Sequence, residues 1–420
     1  MDGGDNGGGA GGGGDSGVWG KTKVGTLLQH RAAVSSVVAS VADFAEAATI
    51  AEYLYGMDCE EAAVLRDIAA NSVVVSSAVY EGLCARASQA FGMENTRWSV
   101  DDCLDDTFRP RFRVSKSEFW QIYDALGVGG WACDRLANRS RVTPEECMLV
   151  WLRRMGSRAT VLEIASQTFW ASPTRVSSMF NIFADFMHWH LSSPAMRVGV
   201  PLERATDFAD SIKHRSGTGL DNCVGFLDSK ALEIARPGEN MEQMAAYNGY
   251  YGHHCLRFQA IHSPDGICYD MYGPVEGRRS DGYLLGASDF MCRFLNYERA
   301  LGFPLCVYAD AGYWCSQYVQ TGFNKNLGER PQGSAEDDYS KRMNRCMTSV
   351  EWGFGLVSLN WPFSTVAAYA RVGNCPVGAH YKNAVFMTNV LSCLRGNITS
   401  SYFDCYPPSL NAYVNFVKNT

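Results

Sequence analysis

The run Cys223-Val-Gly-Phe-Leu-Asp228 is short, apolar and closed by a carboxylate. A second run, Pro304-Leu-Cys-Val-Tyr-Ala-Asp310, repeats the pattern and is followed by Ala311-Gly-Tyr313. Continuous apolar runs of this length are typical of strands that are buried on both faces of a sheet. Open α/β sheets bind their ligands at strand ends. The sequence therefore predicts two neighbouring strands whose terminal acids, Asp228 and Asp310, hold a divalent cation between them.

A later helical stretch supplies a third acid. Its apolar residues recur every three or four positions and predict one buried stripe, made of Met343, Met347, Val350, Phe354 and Val357. Glu351 lies roughly 80° from the centre of that stripe, on the margin between core and solvent. Taken alone, a glutamate at such a position is typical of a solvated helix face.

The composition indicates a chain with a substantial core. Its 420 residues are enough for two or three domains, and 46% of them are hydrophobic and 19% charged. No apolar stretch is long enough to predict a membrane span, and the glycine-rich, acidic start does not have the pattern of a secretory signal. The 15 cysteines are scattered without a C-x-x-C pair, which favours reduced thiols over a disulfide framework or a zinc site.

The formal charge of −7 is unevenly distributed along the chain. Residues 1–108 carry 16 acidic and 6 basic side chains, whereas the remaining residues carry 28 acidic and 31 basic ones. The acidity therefore belongs to the front of the chain, and the net charge does not exclude contact with nucleic acid.

These shifts in composition predict five segments. Residues 1–20 are a glycine-rich tail that cannot bury enough surface to fold, and residues 21–108 are an acidic helical region. Residues 109–192 form a helical module, residues 193–219 a linker, and residues 220–420 a domain with a mixed sheet flanked by helices. The acidic run at residues 101–106 is predicted to be a solvated linker, with a cation site as the alternative.

The helical module shows strong helix starts. Ser115-Lys-Ser-Glu118 is a capping box, and Thr143-Pro-Glu-Glu146 has threonine as N-cap and proline in the first helical position. A further helix is predicted over residues 160–169, and Ser172-Pro173 begins the next one, opened by Thr174-Arg-Val-Ser-Ser178. This order is typical of a helix-turn-helix, and a plain three-helix scaffold is the alternative.

In the sheet domain, Ser263-Pro-Asp-Gly266 separates two strand-like runs, residues 256–262 and 267–273, and predicts a hairpin. Asp281 is predicted to cap the helix that follows it, with a metal role as the alternative. The stretch at residues 324–340 contains glycine, proline and acids and is predicted to be a mobile loop.

Several motifs of this domain, over about residues 221–413, resemble the DDE domain of PIF/Harbinger-type transposases and Harbinger-derived nucleases. They are Glu239-Asn-Met-Glu242, Tyr247-Asn-Gly249, Tyr272-Gly-Pro-Val-Glu-Gly-Arg-Arg-Ser-Asp281, Tyr308-Ala-Asp-Ala-Gly-Tyr313 and Val350-Glu-Trp-Gly-Phe-Gly355. The resemblance implies an RNase H-like fold and places the family's catalytic triad on Asp228, Asp310 and Glu351. The chain departs from the family pattern at Ala309 and Trp352, and neither departure removes an acid.

The resemblance also implies the chemistry. Hard carboxylate oxygens suit two Mg²⁺ or Mn²⁺ ions, with Asp228 binding both ions and Asp310 and Glu351 binding one each. The expected function is metal-dependent cleavage of phosphodiester bonds in double-stranded DNA. A domesticated, non-cleaving DNA- or chromatin-binding protein that keeps the fold is the alternative.

Basic and small polar side chains are predicted to contact the DNA, namely Arg139, Arg141, Thr174, Arg175, Ser178, Arg278, Arg279, Lys341, Arg342 and Arg345. The resemblance further implies a Myb-like accessory protein, which we expect to dock on the acidic region at about residues 24–106. We expect a nuclear location, a cytoplasmic one when that partner is absent, and assembly as a homo-oligomer.

Overall fold

Strand β1 (Cys223–Glu233) is the central strand of a mixed sheet. It pairs antiparallel with β3 (His253–His262) and parallel with β5 (Cys306–Ala309). Strand β6 (Val319–Thr321) continues the sheet in parallel beyond β5, whereas β2 (Tyr247–Asn248) and β4 (Cys268–Glu276) pair antiparallel with β3. This mixed sheet with helices around it is the α/β arrangement that the sequence predicts.

The computed structural model describes residues 98–133, 141–169, 171–323 and 333–419. All of them belong to a compact unit that spans Asn95–Thr420. The predictions for the glycine-rich tail and for residues 21–97 lie outside the described residues. No helix among the described residues is long and apolar enough to cross a membrane.

The first strand is longer than predicted. Asp228 does not end β1, because the strand continues to Glu233 and stays paired with β3 as far as Cys255. The residues of β1 before Asp228 are buried, and those from Asp228 to Ala231 are half-buried, because β5 ends at Ala309 and no longer covers that side. Asp228 therefore lies where a fully buried strand becomes partly open.

The predicted hairpin is confirmed. The turn after β3 is closed by a hydrogen bond from the Gly266 amide to the Ser263 carbonyl, and Gly266 has a φ of 76°. Glycine adopts this left-handed conformation without steric cost, which explains its place in the turn. Strand β3 begins at His253, before the predicted run, and β4 continues past the predicted run to Glu276.

The first part of the unit is helical. Its helices are α1 (Asp105–Phe112), α2 (Lys116–Leu126), α3 (Pro144–Met155), α4 (Val161–Ile164), α5 (Pro173–Met187) and α6 (Ser193–Ala195). The predicted N-caps Ser115, Thr143 and Ser172 are confirmed, because each side chain accepts a backbone N–H of its helix. The helix predicted over residues 160–169 is only one turn of α-helix, and it continues as a π-helix over Ala165–Phe169.

The remaining helices surround the sheet. They are α7 (Ala205–Ser216), α8 (Asn240–Ala246), α9 (Asp281–Ala287), α10 (Phe290–Leu301), α11 (Ala335–Asn360), α12 (Val377–Arg395), α13 (Ile398–Phe403) and α14 (Leu410–Asn419). Segment 193–219, predicted as a linker, contains α6 and α7. Phe208 and Ile212 of α7 are fully buried, so this segment belongs to the folded unit.

The helical part and the sheet part share one core. Trp151 of α3 is fully buried, and its ring centroid lies 5.6 Å from that of Trp361, which follows α11. At the other end, Val100 is fully buried and its amide donates to the Glu145 carboxylate at 2.7 Å. The acidic run at residues 101–106 therefore begins the folded unit, with its acidic side chains facing solvent.

Candidate active site

Asp228 and Asp310 lie side by side because of the strand register. β1 and β5 are parallel, and Leu227 is paired with Ala309. Asp228 directly follows Leu227 and Asp310 directly follows Ala309. The two carboxylates therefore lie next to each other at the same edge of the sheet. Asp228, Asp310 and Glu351 all line one cleft of about 660 Å³.

Helix α11 brings Glu351 to this cleft. The predicted stripe is confirmed: Met343, Val350, Phe354 and Val357 are buried, and Met347 is half-buried. Glu351 lies beside the stripe and is exposed to the cleft. The helix approaches the sheet closely, since a Cβ atom on Gly353 would lie only 2.7 Å from the His262 ring.

The same helix corrects the loop predicted over residues 324–340. Helix α11 already begins at Ala335, where Ser334 caps it and accepts the Asp337 amide. Three acids occupy the first turn, where the helix dipole favours negative charge. Residues 324–332 lie outside the described residues. The serine and the acids of residues 334–338 were interpreted as part of a loop, but they form the N-terminus of this helix.

The electrostatics of the site show crowded negative charge. The pKa of Asp228 is raised from 3.8 to about 7. Burial is the largest cause; the hydrogen bond from the Ser229 amide lowers the pKa, and the nearby acids Asp310, Asp281 and Glu351 raise it. Burial and the charge of Asp281 likewise raise the pKa of Asp310, while the Gly312 amide and the Arg257 charge lower it. A bound cation would relieve this repulsion.

Asp281 is a fourth acid at the site. Its predicted role as helix cap is wrong, because Ser280 is the N-cap and Asp281 lies in the first turn of α9. The Asp281 carboxylate accepts a hydrogen bond from buried Arg257, which also donates to the Arg279 carbonyl at 2.6 Å and to the Ser229 hydroxyl. The sequence showed Arg257 only as one charged residue within an alternating strand, with no signal for its partner.

Tyr313 was also missed as a site residue. It is 4% exposed, and its hydroxyl has no hydrogen-bond partner among the described residues. Burial and the charges of Asp281, Asp228 and Asp310 hold its pKa well above the usual range. An unpaired buried hydroxyl beside three carboxylates is an uncommon arrangement in a packed core.

These donors suit hydrated divalent metal ions. No group of three or more His, Cys, Asp or Glu side chains in the described residues is arranged to hold a metal ion. Mg²⁺ usually keeps several waters and takes only one or two protein carboxylates, so two acids per ion are sufficient. The acids of the cleft and the unpaired Tyr313 hydroxyl, which can bond a water, therefore fit such ions.

In the sheet domain, the basic residues predicted to contact DNA lie in two regions, on helix α11 and after strand β4. Lys341 lines the cleft and pairs with Asp337, and Arg342 pairs with Asp338 one turn apart. Arg345 is exposed on the same helix. Arg278 and Arg279 follow β4, where both pair with Glu276.

The predicted contacts in the helical module lie outside the cleft lining. Thr174 and Arg141 are exposed and Ser178 is half-buried, while Arg139 lies outside the described residues. Arg175 is only 7% exposed, and its guanidinium donates to the Glu146 carboxylate at 2.9 Å. In this conformation Arg175 joins α5 to α3.

Comparison with known proteins gives one family match. Residues 227–389, less than half of the chain, match a family model described as DDE superfamily endonuclease. The matched range contains all three acids of the cleft. No curated protein and no solved structure matches the chain. The match supports a DDE transposase-type family and a transposase or nuclease function.

Proposed function

We propose that this chain is a metal-dependent DNA endonuclease or transposase of the PIF/Harbinger type, and that Asp228, Asp310 and Glu351 are its catalytic residues. One observation carries the proposal. The parallel register of β1 and β5 and the packing of α11 bring these three acids to one cleft, inside the range matched by the endonuclease family.

The acids of the cleft would hold two divalent ions, Mg²⁺ or Mn²⁺. Asp228 would bind both ions, Asp310 one and Glu351 the other. When bound, such ions activate a water or hydroxyl for attack on phosphorus and neutralise charge on the leaving oxygen. Asp228 must be ionised to bind a metal ion, and burial together with the neighbouring acids makes the ionised state costly without a cation.

The chain's other groups would position the substrate and solvent. Lys341 would contact a phosphate of the bound strand, because its ammonium group is exposed at the cleft. Arg257 keeps Asp281 directed toward the cluster through their ion pair. The Tyr313 hydroxyl would hydrogen-bond a water at the buried side of the acids.

The proposal extends to partners and location. We propose double-stranded DNA as the substrate, with contacts from Arg141, Arg278, Arg279, Arg342 and Arg345. A Myb-like accessory protein would supply further DNA binding and nuclear entry, and the chain would act as a homo-oligomer in the nucleus. The acidic front of the chain supports the idea of a basic partner, because its charge would repel DNA.

A nicking assay tests the catalytic proposal. We expect the full chain to nick DNA in Mg²⁺ or Mn²⁺ and to lose this activity in EDTA. Asp310→Asn and Glu351→Gln should each abolish nicking while DNA binding stays equal or becomes slightly stronger, because a charge that repels phosphate is removed.

Asp338→Asn is the matched control, since Asp338 is an exposed acid of α11 that does not line the cleft. Normal nicking by a triad variant would show that the residue is not catalytic. A parent protein that binds DNA but never nicks it, in either metal, would instead support the non-cleaving alternative.

A further inference from the structure

Large aromatic side chains are exposed around the acid cluster. Tyr250 is 90% and Trp314 70% exposed, and Tyr251, Tyr283 and Phe323 are exposed as well. Folded monomers rarely expose apolar groups of this size close together unless the surface binds something. The position of these rings relative to the acids indicates which kind of ligand this surface binds.

Three of the rings lie near the acids. Phe323 lines the cleft itself. Trp314 lies against the start of α9, where its Cζ2 atom is 3.1 Å from the place that a Cβ on Gly282 would occupy, one residue after Asp281. Tyr251 is close enough for the charges of Asp281 and Asp228 to raise the pKa of its hydroxyl, after the larger effect of burial.

The backbone beneath two of these rings is held firmly. Asn248 accepts the amides of Tyr250 and Tyr251 at 3.0 and 3.2 Å, and its own amide donates to the Gly277 carbonyl at 2.6 Å. The turn is thereby fixed while the Tyr250 ring stays open to solvent. Close to Asp281 in the chain, the Arg279 guanidinium, which also pairs with Glu276, lies 4.3 Å from the centre of the Tyr283 ring and so places a cation beside an aromatic ring.

Open aromatic faces with a nearby cation suit nucleobases, because every base has a π-face and its strand carries phosphates. Bases inside a duplex are already stacked on one another, so a protein ring reaches only a base that has left the stack. We propose that Trp314 forms a stacking site for unpaired nucleobases beside the acid cluster. The preferred DNA is therefore unpaired or opened next to the bond that is cut.

This inference rests on the proposed nuclease function and names its substrate more closely. Its test uses binding alone, measured in EDTA with the full chain. Two labelled probes are compared: a duplex oligonucleotide, and the same duplex with a short unpaired stretch in one strand. We expect the parent protein to bind the second probe more tightly, and Trp314→Ala to weaken that binding by about tenfold.

Trp314→Ala should leave binding of the plain duplex nearly unchanged, and Trp314→Phe should retain most of the preference, since it keeps a ring. Trp189→Ala is the control, because Trp189 is 69% exposed and does not line the cleft. Equal affinities of the Trp314→Ala and Trp189→Ala variants for the unpaired probe would overturn the inference, as would a parent protein that shows no preference between the probes. Neither result would bear on the nuclease proposal, which the nicking assay with its triad variants tests separately.

Discussion

At the scale of single residues, the ionised carboxylate of Asp228 lowers the stability of the folded protein. Its folded pKa of about 7 lies above the ordinary value of 3.8. Between these two pH values the folded protein binds the proton more tightly than the unfolded chain does. Stability should therefore fall as the pH rises from about 4 to about 7, and the penalty is complete above that range.

Asp228→Asn should remove this penalty. In EDTA at pH 8 we expect the free energy of unfolding to increase by on the order of 2 kcal/mol, measured by urea denaturation. The gain should shrink when the measurement is repeated near pH 5. Asp210→Asn, an exposed acid in the middle of α7, should change little at either pH. A gain of equal size at both pH values would contradict the explanation by charge.

Arg175 leads to a second prediction at this scale. Arg175→Met leaves the Glu146 carboxylate buried without its cation and should destabilise the protein by about 3–5 kcal/mol in thermal or chemical unfolding. The double variant Glu146→Gln with Arg175→Met should recover part of that loss. An Arg175→Met variant that unfolds like the parent but loses sequence preference on DNA would instead place this side chain in a DNA contact.

Only part of the candidate site could be predicted from the sequence. Asp228 and Asp310 could be predicted because each follows an apolar run, and such runs report strands directly. The pairing of Arg257 with Asp281 could not, because it joins a strand to a helix 24 residues later and depends on how both pack. The buried hydroxyl of Tyr313 was hidden for the same reason, since burial among acids is a property of the assembled sheet.

At the scale of elements, the contact between α11 and β3 sets the position of Glu351. The contact needs Gly353, because any Cβ there would overlap the His262 ring. Periodicity alone predicted the helix and its buried stripe. It did not predict the close approach, which depends on a ring from a strand that is distant in sequence.

Gly353→Ala should therefore destabilise the protein by about 1–3 kcal/mol, in spite of the better helix propensity of alanine. It should also reduce nicking by shifting Glu351 away from the aspartates. Gly355→Ala is the matched control: it lies two residues further along the same helix, and no atom lies within 4 Å of the new Cβ. This control should be neutral or more stable by up to about 1 kcal/mol, and a loss equal to that of Gly353→Ala would contradict the argument from contact.

At the scale of the whole molecule, the unit that contains the candidate site begins at Asn95, and the acidic front of the chain precedes it in sequence. A deletion at residue 106 would remove fully buried Val100 and its bond to Glu145, so it would damage the core. A chain of residues 95–420 is the better test of what the front does. We expect it to unfold cooperatively at a temperature close to that of the full chain.

The same truncation tests the proposed partner. If the front docks a basic, Myb-like protein, the truncated chain should lose partner-dependent nuclear accumulation while it retains metal-dependent nicking of DNA. Fluorescent fusions of both chains, expressed with and without the partner, would measure this. Equal nuclear accumulation of the two chains without any partner would count against a docking role for the acidic region.

The order in which the three acids occur along the chain has a consequence for biosynthesis. A ribosome releases β1 and β5 well before α11, so the growing polypeptide carries both aspartates long before its glutamate exists. The glutamate is then held in place only once its helix has settled on β3. Under the proposed mechanism, a translation product that ends before α11 would lack Glu351 and would be unable to cut DNA.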